Sequence, residues 1–266
     1  MLENARLVID EFIKSCENNI YELPIEEAIE YAEQVGLLLR TNSIGYYSLN
    51  KIEEYLIDRV SLVIPSYFNE VVFNKSEELK CLFVASELYH TGGHTRLMER
   101  LAKFLDCKAS LLITKKPSES IIEREQQFFS NIYDNKKANK VTLDSVFFNL
   151  NIILKFDVII LNIHSEDISA IIACGIAKKL NENIKIHFVN HADHLFSYGS
   201  SVADVWYEIS AYGRCIDAKR NLNAEKCFLG IPIENVDTKV GYQYAFKNGD
   251  CILTAGARIK YKPTNG

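Results

Sequence analysis

Short apolar runs alternate with helical patterns from residue 80 onward, and this alternation restricts the chain to few folds. Seven runs are rich in β-branched and aromatic residues, namely CLFVAS, SLLIT, KVTL, FDVIILNI, IKIHFVN, ADVWYEIS and KCFLGI. Runs of this kind are typical of strands that are buried on both faces. Strands separated by helices need crossover connections. We therefore predict an α/β fold with a doubly wound, parallel, Rossmann-like sheet.

The N-terminal part of the chain has a different pattern, with apolar residues at helical spacing and acidic residues between them. The segments NARLVIDEFIKSC, PIEEAIEYAEQVGLLLR and SLNKIEEYLIDRVSLVI each fit an amphipathic helix. Ser48 is a candidate N-cap of the third helix. We therefore predict a helical region at residues 1–78, followed by a Rossmann-like domain at residues 79–235.

Composition excludes several classes of protein. The net charge is −5, from 30 basic and 35 acidic residues, so the chain lacks the basic excess that would make nucleic acid an expected partner. No apolar stretch approaches the ~18–20 residues of a membrane span, and the N-terminus does not fit a secretory signal. The seven cysteines are odd in number, widely spaced and without a CxxC pair. We therefore predict reduced cysteines, a cytoplasmic location and no metal site.

Polar clusters follow three of the predicted strands at the points where those strands end. HTGGHT follows the first run, HSED the fourth and NHADH the fifth. Carboxyl ends of parallel strands meet at one edge of a sheet, where ligands bind in such folds. Glycine allows a ligand to approach the backbone, and the helix after HTGGHT offers free N–H groups to an anion. We predict that Gly92, His164 and His191 lie near this edge.

All six histidines lie between residues 90 and 194. His191 follows a strand and has Asn190 and Asp193 as close neighbours, which favours a functional role, whereas His187 within the same strand favours a structural one. A metal site in HADH is disfavoured because no carboxylate or thiolate spacing completes it. TGGHT departs from the GxGxxG fingerprint, which disfavours an NAD site. Ser210 at the end of the sixth run either meets the site or caps the next helix.

The order of these signals resembles the N-terminal half of a GT-B glycosyltransferase, close to glycosyltransferase family 4, also called group 1. The matching segments are GGHTRLMERLAKFL, FDVIILNIH, KIHFVNHADHLF, ADVWYEIS and AEKCFLGIPIEN. The resemblance runs from about Lys80 to Ile233 and extends into CILTAGARIKYKP, which is similar to the first strand and loop of a donor-binding half. On this resemblance we expect residues 236–266 to be a linker and the truncated start of a C-terminal donor-binding domain.

The resemblance implies transfer of a sugar from a nucleotide-sugar co-substrate, without a further cofactor. The acceptor would be a glycan, a glycolipid or a protein, held mainly by this half. In the family the glycine loop after the first strand approaches the donor phosphates and sugar. This role suits Gly92 and Gly93, together with the N–H groups of His94 and Thr95.

His191 matches the family's histidine that lies beside the reacting sugar, so it is the implied catalytic residue. There it would form a hydrogen bond to the sugar and stabilise charge as an oxocarbenium-like centre forms. Asn190, Asp193 and His194 would orient His191 or contact the acceptor. His164 completes the expected substrate-binding set.

The family's nucleotide-binding half is not represented in the sequence, so we expect the chain to be inactive without a second half, which a separate reading frame would encode. Two alternatives stay open. One is a non-catalytic GT-B-like module that binds a sugar or a partner protein. The other is a fragment of a sugar-nucleotide epimerase, an enzyme class of similar architecture.

Overall fold

The structure is a computed structural model, and it describes residues 2–66, 68, 78–105, 108–115, 117–135 and 141–231. These residues belong to one compact unit. Within them the helices are α1 (Leu2–Glu22), α2 (Ile25–Thr41), α3 (Asn50–Ser61), α4 (Gly93–Phe104), α5 (Glu119–Glu125), α6 (Leu143–Ile153), α7 (Ile168–Leu180) and α8 (Gly213–Asp217). The strands are β1 (Cys81–Ala85), β2 (Ser110–Ile113), β3 (Ile132–Asp134), β4 (Val158–Asn162), β5 (Lys185–Asn190), β6 (Val205–Glu208) and β7 (Glu225–Phe228).

The seven strands form a single parallel sheet in the order β3-β2-β1-β4-β5-β6-β7. Every residue of β1 and β2 is buried, as expected for apolar strands covered on both faces. The predicted α/β fold with a parallel sheet is confirmed, and the arrangement is compatible with a Rossmann-like fold. The strand order reverses between β1 and β4, and ligands bind beside the carboxyl ends of the strands at such a reversal.

Six of the seven predicted runs contain a strand, but the described part of the run KVTL, residues 141–143, does not, and that prediction was wrong. Thr142 and Ser145 form a capping box, in which each side chain accepts the other residue's backbone N–H, at 3.3 and 2.9 Å. This cap starts α6 at Leu143. The third strand of the chain is the short β3, which lies before this run in the sequence. The helix α6 was missed because it is apolar on most of its surface and therefore lacks a clear helical period.

The three N-terminal helices occur where amphipathic patterns predict them, although Ser48 does not cap α3. Leu49 occupies the N-cap position, and the Ser48 hydroxyl donates instead to the carbonyl of Arg220 at 2.6 Å. These helices pack on one face of the sheet, where α2 and α3 contact α7. At Gly175 of α7 an added Cβ would come within 2.4 Å of Ile57, so only glycine allows this close helix contact.

Alternate residues of β1 belong to two hydrophobic cores. Leu82 and Val84 join the larger core with α1–α3, α6 and α7, and Phe83 joins the smaller core with α4 and α5. The predicted boundary between residues 1–78 and 79–235 stays a prediction. Residues 236–266, the predicted linker and truncated domain, lie outside the described residues.

Within the ranges given above, no helix combines the length and the apolar character that a membrane span requires. Among the described cysteines, Cys16, Cys81 and Cys174 are buried. Cys215 is exposed, so burial does not extend to every cysteine.

Candidate functional site

Three histidines from separate parts of the chain lie together at the carboxyl edge of the sheet. His94 lies in the first turn of α4, His164 follows β4 and His191 follows β5. The His94 and His191 rings stack with centroids 5.2 Å apart and planes 23° apart. The His94 and His164 rings meet edge to face with centroids 5.8 Å apart. The strand order therefore unites residues that the sequence separates widely.

The N-terminus of α4 is open beside this cluster. Gly92 occupies the N-cap position with extended backbone, and no side chain caps the helix. A Cβ added at Gly93 would meet no atom within 4 Å, and one added at Gly92 would make only an ordinary contact with Tyr89 at 3.4 Å. Packing therefore does not require either glycine. The open first turn offers N–H groups and the positive end of a helix dipole to an anion.

A cavity of about 360 Å³ lies beside this helix terminus. It is lined by Gly93, His94, Arg96, Leu97, Arg100, His191, Ile209 and Ile231. Two guanidinium groups and two imidazoles contribute its polar side, and three aliphatic side chains contribute the other. This lining suits a ligand that carries an anionic group next to an uncharged portion.

His191 and His94 are neutral imidazoles in this setting. Burial, followed by the neighbouring His94 and His164 rings, lowers the pKa of His191 to about 3. Burial also lowers the pKa of His94. The Nε2 of His94 lies 3.0 Å from the carbonyl oxygen of Glu87, so this nitrogen carries the hydrogen and donates it. The Nδ1 of His191 is buried without a hydrogen-bond partner in the described part of the chain. Such an atom is costly unless a ligand or water contacts it.

Two asparagines, Asn162 and Asn190, are the last residues of β4 and β5, close to the histidine cluster. The Asn162 amide donates from Nδ2 to the carbonyl of His94 at 3.1 Å and so ties the first turn of α4 to β4. Its Oδ1, and the Nδ2 of the predicted site residue Asn190, are buried and have no partner among the residues described. Thr95 is buried and its hydroxyl accepts the N–H of Tyr89 at 3.1 Å. The Thr95 hydroxyl is therefore used within the protein, and Thr95 does not line the cavity.

Asp193 and His194 do not line the cavity. The Asp193 carboxylate accepts a hydrogen bond from the Ser210 hydroxyl, and His194 lies 3.5 Å from its other oxygen with 60% of the side chain exposed. Ser210 therefore contacts the loop that follows His191. It does not cap α8, because Tyr212 is the N-cap residue of that helix. Asp193 shapes the loop after His191, and its carboxylate does not face the cavity.

Arg220 is hydrogen-bonded to the same loop, which follows His191. Its guanidinium donates to the carbonyls of Asp193 and Leu195 at 3.0 and 2.6 Å and pairs with Asp217 at 2.9 Å. Arg220 is fully buried. Because each of these bonds lies in the interior, Arg220 makes a large contribution to the position of the loop after His191.

His164 faces a second group of polar residues. Its backbone N–H donates to the Ser86 hydroxyl at 2.8 Å, and that hydroxyl donates to the buried carboxylate of Asp167. Its Nδ1 lies 3.7 Å from Glu166, which accepts from Arg40 of α2 at 2.7 and 2.8 Å. Burial alone would raise the pKa of Glu166, but His164 and Arg40 outweigh it and lower this pKa to about 2.

The remaining histidines lie away from the cluster. His90 is exposed and bonded to Ser120 at 2.9 Å, and His187 contacts the Tyr207 hydroxyl at 3.0 Å within the sheet. Among the described residues, no three His, Cys, Asp or Glu side chains are grouped so that they could hold a metal ion.

Sequence reasoning missed five residues around the site. Arg96 and Arg100 had a usable signal, because they are four residues apart on α4 and therefore share a helix face. Glu166 lies in the HSED cluster, of which only His164 was selected. Tyr89, which stacks on His164 with centroids 6.3 Å apart, had no distinguishing pattern. Arg40 had none either, since it reaches Glu166 across 126 residues.

Comparisons with known proteins leave the site to be interpreted from its own geometry. No protein-family model, no curated protein and no solved structure matches this chain. The fold and site define an α/β protein with one parallel sheet, compatible with a Rossmann-like fold, and with a cavity whose lining suits an anionic ligand.

Proposed function

We propose that this chain is the acceptor-side half of a glycosyltransferase that moves a sugar from a nucleotide sugar to a glycan, a glycolipid or a protein. In this proposal the sheet is the doubly wound N-terminal domain of a GT-B architecture. The observation that carries the proposal is the stacked His94–His191 pair, with centroids 5.2 Å apart, on the wall of a cavity beside the uncapped α4.

The donor phosphates would lie at the N-terminus of α4. The open space at Gly93 lets a ligand contact the first-turn backbone. Arg96 and Arg100 line the same cavity and supply positive charge near that position. Backbone N–H groups and arginines together are a strong combination for a diphosphate.

His191 would contact the sugar as a neutral hydrogen-bonding group. With a pKa lowered to about 3 by burial, it holds no extra proton near neutral pH and is not a general acid. A neutral imidazole is favourable where positive charge develops on an oxocarbenium-like sugar, because a cation would be repelled there. The ring lines the cavity, and its buried Nδ1 has no hydrogen-bond partner among the described residues.

Calorimetric titration with UDP-glucose and GDP-mannose tests the proposal. We expect one of them to bind in the millimolar range, about −4 kcal/mol. His191→Gln should weaken that binding, while the matched variant His187→Gln, on the same strand but outside the cavity, should leave it unchanged. Absence of binding at tens of millimolar, or equal effects of the two variants, would contradict the proposal. Binding of a free oligosaccharide alone would favour a non-catalytic sugar-binding module.

A further inference from the structure

A second cavity, of about 510 Å³, lies where the N-terminal helices meet the segment between α8 and β7. The loop between α2 and α3 lines it with two consecutive tyrosines, Tyr46 and Tyr47, and we call it the tyrosine cavity. Helix α1 contributes Arg6, and the segment after α8 contributes Lys219 and Asn221. None of the described residues that line it also lines the cavity at α4. The tyrosine cavity is therefore a separate candidate site.

Cations lie against both tyrosine rings. The guanidinium carbon of Arg6 is 4.8 Å from the centroid of the Tyr46 ring, and the ammonium of Lys219 is 5.8 Å from that of Tyr47. Gly45, just before the tyrosines, has a φ of +87°, and an added Cβ would lie 3.2 Å from Nη1 of Arg6. Glycine therefore suits both the backbone of this turn and the close approach of the guanidinium.

The tyrosine cavity has an excess of positive charge in a chain whose net charge is −5. Arg6, Lys51 and Lys219 line it, and Glu17 is the acidic residue among its described lining. Arg6 is partly neutralised, because the Asp10 carboxylate lies 2.9 Å from its Nε. Lys51 and Lys219 are both exposed to solvent. These two ammonium groups are therefore the main positive charge that the cavity offers to an anion.

The rest of the lining is polar and aromatic. Leu49 is the aliphatic residue among the described lining, and only 5% of it is exposed, so the cavity offers little surface to a lipid chain. Ser48, Asn50 and Asn221 bring hydroxyl and amide groups. A tyrosine ring can pack on the apolar face of a sugar ring, while its hydroxyl bonds to polar groups. Together with the two lysines, this lining fits a hydroxyl-rich ligand that carries negative charge.

Arg220 connects the tyrosine cavity to the loop that follows His191. Its guanidinium donates from Nη1 to the Tyr47 carbonyl at 2.8 Å and from Nη2 to the Asp193 carbonyl at 3.0 Å. The backbone N–H of Ser197 also donates to the Tyr47 carbonyl, at 3.2 Å. A single guanidinium group therefore separates the backbone of the cavity loop from the loop after His191.

We propose that the tyrosine cavity binds an anionic saccharide and that it holds an acidic sugar unit of the acceptor. The second part rests on the proposed glycosyl transfer, whereas the binding itself does not depend on it. Most of the lining comes from residues 1–78. The N-terminal helical region therefore gains a role as the part of the chain that selects an acidic acceptor.

Calorimetry with oligosaccharides of equal length tests the binding. We expect hexagalacturonate or a heparin-derived hexasaccharide to bind the full chain at least about tenfold more tightly than neutral maltohexaose. Hexaglutamate matches the charge of hexagalacturonate without sugar rings, and it should bind about tenfold more weakly than the acidic saccharide. Equal binding of maltohexaose or hexaglutamate, or no binding of either acidic saccharide, would overturn the inference.

Two double variants test whether the lysines of the tyrosine cavity are responsible. Lys51→Gln combined with Lys219→Gln should weaken binding of the acidic saccharide by about tenfold or more. Lys185→Gln combined with Lys226→Gln makes the same change in net charge at exposed lysines of β5 and β7, and should leave binding nearly unchanged. All four lysines are exposed, so circular-dichroism melts should match the parent. Equal effects of the two double variants would overturn the inference.

Protection of lysines from acetylation, followed by mass spectrometry, locates the bound saccharide. At saturation it should slow acetylation of Lys51 and Lys219 by about threefold or more. Lys108 and Lys155 line another cavity, of about 870 Å³, and should react as before. Protection of this second pair instead would overturn the inference. If the saccharide binds as expected but neither UDP-glucose nor GDP-mannose binds, the proposed transfer fails while the saccharide site stands. The reverse result removes this site and leaves the proposed transfer.

Discussion

Glu99 of α4 and Glu125 of α5 form a buried carboxyl pair between these two helices. Glu99 accepts from Arg124 and, at 3.0 Å, from Arg96. Both Glu125 oxygens are buried and receive no hydrogen bond from the described residues. Burial, followed by the charge of Glu99, raises the pKa of Glu125 to about 8. Glu125 therefore holds a proton at neutral pH and can donate it to Glu99.

We predict that this pair makes stability fall as pH rises. Between about pH 4.5 and pH 8 folded Glu125 keeps a proton that the unfolded chain has lost, so the folded state binds more protons and its stability decreases with pH. Glu125→Gln mimics the protonated form. It should be more stable than the parent at pH 9, by on the order of 1–3 kcal/mol, and equal to it near pH 4.

Urea denaturation at a series of pH values measures the effect. Burial also raises the pKa of Asp217, to about 7, so the parent has a second source of pH dependence in the same direction. The difference between Glu125→Gln and the parent isolates Glu125. The exposed Glu123→Gln on the same helix is the control. Parallel curves for the parent and Glu125→Gln would show that the carboxyl pair shares no proton.

We predict that Arg220 is essential for stability and for the His191 loop. Arg220→Ala should cost about 3–5 kcal/mol, because it leaves Asp217 buried without its partner and frees two loop carbonyls. Arg214→Ala, which removes a 62% exposed arginine paired with Glu208, should cost about 1 kcal/mol or less. Chemical denaturation followed by far-ultraviolet circular dichroism compares them. Similar losses for both variants would contradict the prediction.

We predict that Gly93 serves ligand binding and not folding. A side chain at this position meets no protein atom, so Gly93→Leu should keep stability within about 1 kcal/mol of the parent. It should nevertheless fill the mouth of the cavity and lower UDP-glucose affinity by about tenfold or more, a change of ~1.4 kcal/mol. Thr91→Leu adds a similar side chain in the exposed loop before α4. Equal affinities for these two variants would remove Gly93 from the site.

The sheet could be predicted from sequence because strands buried on both faces need continuous apolar runs, which β1, β2, β4 and β5 provide. The prediction failed at β3, where the strand has only three residues and each is only partly buried. It failed nearby at KVTL, where a Thr142–Ser145 capping box turned a β-like run into a helix start. Short edge strands and local caps leave little trace in hydrophobic periodicity.

The site was only partly predictable, for a different reason. Gly93, His94, His164 and His191 could be selected because polar residues just after buried strands are brought to one edge by any parallel sheet. Arg40 and Arg220 could not, since each acts through tertiary contacts with distant segments. Asp193 was selected by its position next to His191, and its side chain accepts a hydrogen bond from Ser210 within the protein. The position of a residue in the sequence indicates which edge of the sheet it joins. It does not indicate whether the side chain faces the cavity or forms bonds within the protein.

Arg100 provides the last prediction, which concerns the charge of the cavity. Arg100 lines the cavity, whereas Lys103 on the same helix lies outside it with its ammonium 5.5 Å from the Phe128 ring. If an anionic group binds near α4, Arg100→Gln should weaken UDP-glucose binding by about five- to tenfold, or ~1–1.4 kcal/mol, and Lys103→Gln should change it little. The parent's affinity should fall as salt is raised from about 0.05 to 0.5 M, because added ions screen the charges, and Arg100→Gln should depend less on salt. Calorimetry at several salt concentrations measures both effects. Equal salt dependence in the parent and Arg100→Gln would mean that the ligand's charge lies elsewhere and that the phosphate position at α4 is wrong.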